Sequence, residues 1–227
     1  MNELIIAIIL VLVFSFSLLA FRLGYAWMLA FGTFINAFTF TFGLIQVEIF
    51  GYALFVGTIV FGGNFYMTDL LEEYYGIKKA RSFIWVILGT QLGLLALGTL
   101  TVQMNVVADD TLLHVAKDLL QPWYPILAIV FFSNFILQYF DTWLFGYIKK
   151  KTGEKWLWLR NNASTISTMT IDSFIVIPIA ISLAFPEIET STLISLMITS
   201  ALFKYTIALF DTPFIYLSKR FKPKELL

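Results

Sequence analysis

Four aspartates and one lysine stand inside apolar stretches of this chain: Asp69, Asp141, Asp172, Asp211 and Lys204. Ionisable groups at membrane depth are costly, and they normally face a protein interior or a watery cavity where substrates, ions or protons bind. Four acids against one deep lysine leave an acidic excess unless Arg81 and Arg160 reach in or protons are bound. Some of these acids are therefore candidate proton carriers. The competing reading is a structural network, in which Lys204 pairs with Asp172 or Asp141 to fix helix register and Asp69 and Asp211 are hydrated at the inner interface.

The neutral polar residues keep helical spacing around those charges. Asn134, Gln138 and Asp141 recur at i, i+4 and i+7, so they form one polar stripe on an otherwise apolar helix. Thr165, Thr168 and Asp172 form a second stripe, and Lys204 shares a face with Asp211. Asn36, Asn64 and Thr68 add polar groups earlier in the chain. Arg160-Asn161-Asn162-Ala163-Ser164-Thr165 reads as the N-terminal cap of a helix, whose positive dipole end can also meet a polar ligand. Asn162-Ala163-Ser164 matches a glycosylation sequon but falls in a loop expected on the cytoplasmic side. With no cysteine and a single His114, no thiolate or histidine metal site is expected. No phosphate-binding glycine loop, nucleophile elbow or HExxH pattern occurs, so no catalytic residue is assigned and an enzyme would have to work with acids alone.

The elements that must hold these residues are membrane helices. Of 227 residues 59% are hydrophobic and only 13% charged, and mean hydropathy is +0.83, beyond the range of soluble domains. Zero net charge gives no support to a nucleic-acid partner. Seven stretches of spanning length lie near 4–21, 25–45, 49–69, 83–103, 123–147, 164–185 and 193–217, which predicts an all-α polytopic bundle in a single domain, 1–227. The boundary between the second and third rests on Gln46, Glu48, Gly43 and Gly51, read as a tight turn. The first span lacks a basic leader and a small-residue cleavage pattern, so it is expected to stay in place. Basic residues cluster after spans three (Lys78, Lys79, Arg81), five (Lys149, Lys150, Lys151, Lys155, Arg160) and seven (Lys219, Arg220, Lys222, Lys224), which predicts N-out, C-in.

Asp69, Asp141 and Asp211 are spaced by 72 and 70 residues, as in helix-hairpin repeats 2–3, 4–5 and 6–7, although so few copies also arise by coincidence. Glycines 57, 62, 63, 89, 93 and 98 read as close-packing positions, with Gly62-Gly63-Asn64 also readable as a break in span three. The segment 104–121 reads as an interfacial helix or a lid. Trp123, Tyr124, Trp156 and Trp158 suit aromatic belts.

Several ordered motifs carry a resemblance: Thr68-Asp69, Tyr75-Gly76, Ala80-Arg81, Gln138 with Asp141, Trp158-Leu159-Arg160-Asn161-Asn162, Ser164-Thr165, Ile171-Asp172-Ser173, Phe203-Lys204 and Asp211-Thr212-Pro213. From about residue 36 to 220 the chain resembles the queuosine precursor transporter family, within the wider vitamin-uptake grouping. The resemblance implies a six-helix core with the first span as an addition, a multi-pass place in the inner or plasma membrane, and import of 7-cyano- or 7-aminomethyl-7-deazaguanine, or queuine. It implies no cofactor. Such a base offers paired N–H donors to a carboxylate, a carbonyl oxygen to a donor, and a flat face to an aromatic ring.

The expected site is a cavity running from the midplane towards the cytoplasm between spans three, five, six and seven. Asp172 and Asp141 recognise substrate or carry a proton, Gln138, Asn134 and Asn64 orient the base, Lys204 balances charge, and Phe140 or Trp143 provides the stacking ring. Asp69, Asp211, Asn161, Asn162, Thr165 and Thr168 complete the candidate set. The partners expected are a deazapurine and the bilayer, with proton coupling and a homo-oligomer left open. Two other readings stand beside this one: the substrate-binding membrane subunit of an energy-coupled vitamin importer, and an intramembrane acid–base enzyme.

Overall fold

Helices account for nearly all of the computed structural model, which describes residues 1–43, 45–104, 114, 117, 124–153 and 155–226. α1 (Asn2–Leu23) turns at Gly24 into α2 (Tyr25–Phe42). A two-stranded antiparallel hairpin, β1 (Gln46–Ile49) and β2 (Tyr52–Phe55), leads into α3 (Val56–Tyr75) and α4 (Ile77–Val102). α5 (Tyr124–Thr152) is followed by α6 (Leu157–Ile171), a π-helical turn (Asp172–Val176), α7 (Ile177–Ala184) and α8 (Thr190–Leu217). Short 3₁₀ turns cover Ser218–Arg220 and Lys224–Leu226.

Among the described residues, five helical stretches are able by length and composition to cross a membrane: Asn2–Leu23, Ile77–Val102, Ile126–Thr152, Leu157–Leu183 and Thr190–Arg220. α2 and α3 stand between them in the bundle, so the helices follow the seven predicted stretches and the chain is an all-α polytopic bundle. Bulky side chains such as Trp85, Leu97, Ile136 and Leu202 are more than half exposed on its outside, as lipid-facing residues must be.

Three boundaries differ from those read in the sequence. The turn between the second and third spans is the β-hairpin, because Gln46, Glu48, Tyr52 and Phe55 alternate in a pleated pair rather than continuing a helix. Its two-residue turn needs positive φ at both positions, supplied by Phe50 (50°) and Gly51 (83°). α3 consequently begins at Val56 and continues to Tyr75, which puts Asp69 well inside the helix rather than near its end. α6 begins at Leu157, so Arg160 through Thr165 lie within it and do not cap it. Most of the segment 104–121 read as an interfacial helix or lid, together with Trp123 and the side chain of Tyr124, lies outside the described residues. Trp156 and Trp158 are exposed, as a belt requires.

α3 packs against α1, α2, α4, α5 and α8 and is buried along most of its length. A helix enclosed by protein escapes the demand for an apolar surface, which is why the most polar span sits at the centre. Close approach is arranged by Gly62 and Gly63: a Cβ on them would stand 2.4 Å from Ile207 Cγ2 and 2.6 Å from Val13 Cγ1. Gly89 and Gly93 face open space, so the packing role read for them does not hold. α3 is continuous through Gly62-Gly63-Asn64. The irregular span is the sixth, where a π turn precedes Pro178, which lacks the N–H that a regular α-helix would use.

Candidate transport site

A cavity of about 210 Å³ lies in the half of the bundle that carries the β-hairpin. Its walls come from the end of α2, β2, the start of α3, the first turns of α5, the π turn with α7, and α8. They are largely apolar, with rings from Phe40, Phe55, Phe61 and Phe131. Six polar side chains line it: Thr39, Thr58, Asn134, Asp172, Ser200 and Lys204. The π turn explains how one helix contributes so much wall. The extra residue per turn brings Asp172, Val176, Ile177, Ala180 and Ile181 to one side, and π bulges recur at functional sites for this reason.

Lys204 Nζ donates to Asp172 Oδ2, joining the π turn to α8. Of the two pairings open to Lys204 in the sequence, this is the one formed. Lys204 is 4% exposed and Asp172 somewhat more, so the pair is the polar feature of an apolar cavity. One turn away on α5, Gln138 Nε2 donates to Asn134 Oδ1 at 3.0 Å, while Gln138 Oε1 has no partner. The first polar stripe thus runs from the cavity inward, as its spacing predicted.

Deeper in the bundle lies a closed polar layer. Thr165 Oγ1 donates to Asp69 Oδ2 at 3.4 Å, Thr168 Oγ1 to Asp141 Oδ1 at 3.3 Å, and Asn161 Nδ2 to Asp211 Oδ1 at 2.7 Å. All three aspartates are at most 1% exposed, and Asp69 and Asp141 contact each other directly. Aspartates 72 and 70 residues apart therefore meet at one level of the bundle. Asn162 donates to Thr212 Oγ1 at 2.8 Å and to its own helix, tying α6 to α8; it is 7% exposed, a poor glycan acceptor. Asn64 belongs to a separate chain of bonds, with Gln91 donating to Asn36 at 2.8 Å and Asn36 to Asn64 at 3.2 Å.

Two expectations need correcting. The cavity lies at the hairpin end of the bundle, not at the end of the basic loops. Phe140 and Trp143 are not among its walls: their rings lie tilted against each other with centroids 5.8 Å apart, and Trp143 is 52% exposed. Neither residue falls on the face of α5 that Asn134, Gln138 and Asp141 turn inward.

Below the aspartates a latch closes the basic end. Arg160, fully buried, binds both Glu73 oxygens (3.1 and 2.6 Å) and donates to the carbonyls of Gly153 and Lys155 at 3.0 and 2.9 Å. Lys149 Nζ lies 3.0 Å from Glu73 Oε2 and donates to the Glu73 carbonyl at 2.8 Å. Glu73 was absent from the sequence candidates, although Asp69-x-x-Glu72-Glu73 carries the i, i+3, i+4 spacing of one helix face. Ser200 and the rings of Phe61 and Phe131 were also missed, because a serine or phenylalanine in an apolar span carries no distinguishing pattern.

Residues 55–218 match the family described as "putative vitamin uptake transporter". The chain belongs to that family. A Bacillus subtilis (strain 168) protein described as "probable queuosine precursor transporter" is 28% identical over 186 residues, 79% of this chain and 77% of its own length. No solved structure matches. This vitamin-uptake family member is accordingly a multi-pass transporter of the cell membrane, and the cavity with its ion pair lies within the matched residues.

Proposed function

We propose that the chain imports queuosine precursors, 7-cyano- or 7-aminomethyl-7-deazaguanine, with queuine a further candidate, as a single domain spanning residues 1–227 and without chemically altering them. The observation that carries this reading is the Asp172–Lys204 pair inside an aromatic cavity. A guanine-like edge presents two N–H donors beside a carbonyl oxygen. A carboxylate beside an ammonium is its complement: Asp172 accepts the paired N–H groups and Lys204 donates to the carbonyl. The name of the Bacillus subtilis relative supports the same class of cargo.

Size and surroundings agree. At about 210 Å³ the cavity is below the roughly 300–1,000 Å³ of drug-sized sites, which favours a free base over a nucleoside. Phe61 and Phe131 offer faces for stacking, and Asn134 and Ser200 offer further hydrogen bonds at the rim. An N-out, C-in arrangement, supported by the basic loops, puts the cavity on the outer half and the Arg160–Glu73–Lys149 latch on the cytoplasmic half. Import then requires the latch to part while the outer walls close over the base.

The test is rescue of uptake. The chain is expressed in cells that neither make nor import the precursor, and queuosine is measured in their tRNA. Queuosine above the empty-vector control is expected; none, with the protein present in the membrane, overturns the substrate assignment. Retrieval of an ATPase module with the tagged chain would instead assign it as the binding subunit of an energy-coupled importer.

A further inference from the structure

The mutual contact of Asp69 and Asp141 lies in a layer with no cation to balance it. Among the described residues, the nearby cations serve groups other than Asp69 and Asp141: Lys204 pairs with Asp172, Arg160 and Lys149 with Glu73, and Arg81, over the ring of Tyr139 at 5.3 Å, acts with Lys149 on Glu72. Asp211 on α8 and Glu72 on α3 add two more buried acids; α6 presents the Asn161 amide and the hydroxyls of Ser164, Thr165 and Thr168, and α3 the buried hydroxyl of Tyr66, all of them uncharged. Each hydroxyl bond leaves one oxygen bare: Asp69 Oδ1 and Asp141 Oδ2 are fully buried and have no partner. Two touching carboxylates away from water cannot both carry charge. A single proton shared by the pair removes one charge and turns the repulsion into a hydrogen bond.

We propose that Asp69 and Asp141 form a shared-proton site that couples movement of the substrate to entry of a proton. The inference deepens the import reading and rests on it for its transport readout. A proton is favoured over a larger cation because it supplies the hydrogen bond that the buried carboxylate oxygens lack and needs no further ligands. Two buried polar side chains flank the pair along its helices. Gln138, with its bare Oε1, stands one turn along α5 between cavity-lining Asn134 and Asp141. Glu72, with its bare Oε2, stands one turn along α3 from Asp69, at the level of the latch. A proton entering at the cavity reaches the aspartates past Gln138 and leaves past Glu72. One proton then accompanies each base, and for a neutral base one positive charge crosses the membrane.

The test uses the full chain in proteoliposomes with labelled 7-aminomethyl-7-deazaguanine and, separately, 7-cyano-7-deazaguanine. An inside-alkaline gradient is expected to drive accumulation several-fold above the equilibrium level. A protonophore should abolish that accumulation, and a sodium gradient alone should not produce it. Equilibrium counterflow of the same bases is measured in parallel. Counterflow without gradient-driven accumulation, or accumulation driven by sodium, overturns the coupling and leaves the import reading standing. No counterflow overturns the import reading; the proton site is then decided by infrared spectroscopy of the purified protein. A protonated carboxyl C=O band should be present and should be diminished in both Asp69→Asn and Asp141→Asn. A spectrum unchanged in both variants overturns the shared proton.

Discussion

Replacing Arg160 with methionine, which keeps an unbranched stem of similar bulk and removes the guanidinium with its five donors, should be the most damaging single change at the basic end. Arg160 is fully buried, its guanidinium spans both oxygens of Glu73, and it satisfies the carbonyls of Gly153 and Lys155. Breaking a buried ion pair from one side costs about 3–5 kcal/mol, chiefly because the remaining charge is stranded. Here Lys149 stays 3.0 Å from Glu73 and keeps part of that charge compensated, so the lower end, about 3 kcal/mol, is expected. At roughly 2–4 °C per kcal/mol for a chain of this size, the midpoint should fall by about 6–12 °C. Lys149→Met should cost only about 1 kcal/mol, because Lys149 is 28% exposed and the shorter Arg160 contact remains. Thermal unfolding of the detergent-solubilised protein, read by tryptophan fluorescence and monodispersity, gives both values. Adding Glu73→Gln to Arg160→Met should recover part of the loss by removing the stranded charge. Equal, small shifts for Arg160→Met and Lys149→Met would refute the latch as an energetic unit.

Three further outcomes follow from particular contacts. Asp172→Asn should lower uptake at least about tenfold, or about 1.4 kcal/mol, measured as initial rate at matched membrane levels; near-normal uptake would make the Asp172–Lys204 pair purely structural. Gly62→Ala forces a methyl to within 2.4 Å of Ile207 Cγ2 and should cost about 1–3 kcal/mol. Ile207→Ala should then be less harmful in that background than in the wild type, a coupling read by a double-mutant cycle. The tail gives a pH-dependent outcome: Glu225 accepts hydrogen bonds from Tyr75 Oη and from the Tyr25 N–H, and these hold its carboxyl below the ordinary value of 4.5. A depressed folded value means the attachment contributes fully above 4.5 and is lost as pH falls through the lower folded value. Hydrogen exchange at residues 221–226 should rise over that acid range in the wild type, and Glu225→Gln should flatten the dependence.

Much of the architecture was legible because a bilayer restricts the choices: apolar runs of spanning length must be helices, and each appeared close to where hydropathy put it. The polar stripes were legible for a related reason. Helical periodicity alone turns Asn134, Gln138 and Asp141 to one side, and Thr165, Thr168 and Asp172 to one side, whatever the rest of the bundle does. The β-hairpin was not legible, since residues 46–55 are as apolar as a helix end and their alternation is too short to declare a strand.

Pairing, and the position of the cavity, belonged to the tertiary structure alone. The sequence determined that this chain lives in a membrane and that its acids and Lys204 need partners there, because burial in hydrocarbon permits no other state. It left open that Lys204 takes Asp172 while Asp69 takes Asp141, since which faces meet depends on the rotation of each helix about its axis. Small shifts in close packing decide that rotation: glycines 62 and 63 bring α8 and α1 against α3, and the π turn advances Asp172 onto the cavity wall. Hydropathy carries none of this information, because a helix turned by half a revolution has the same composition.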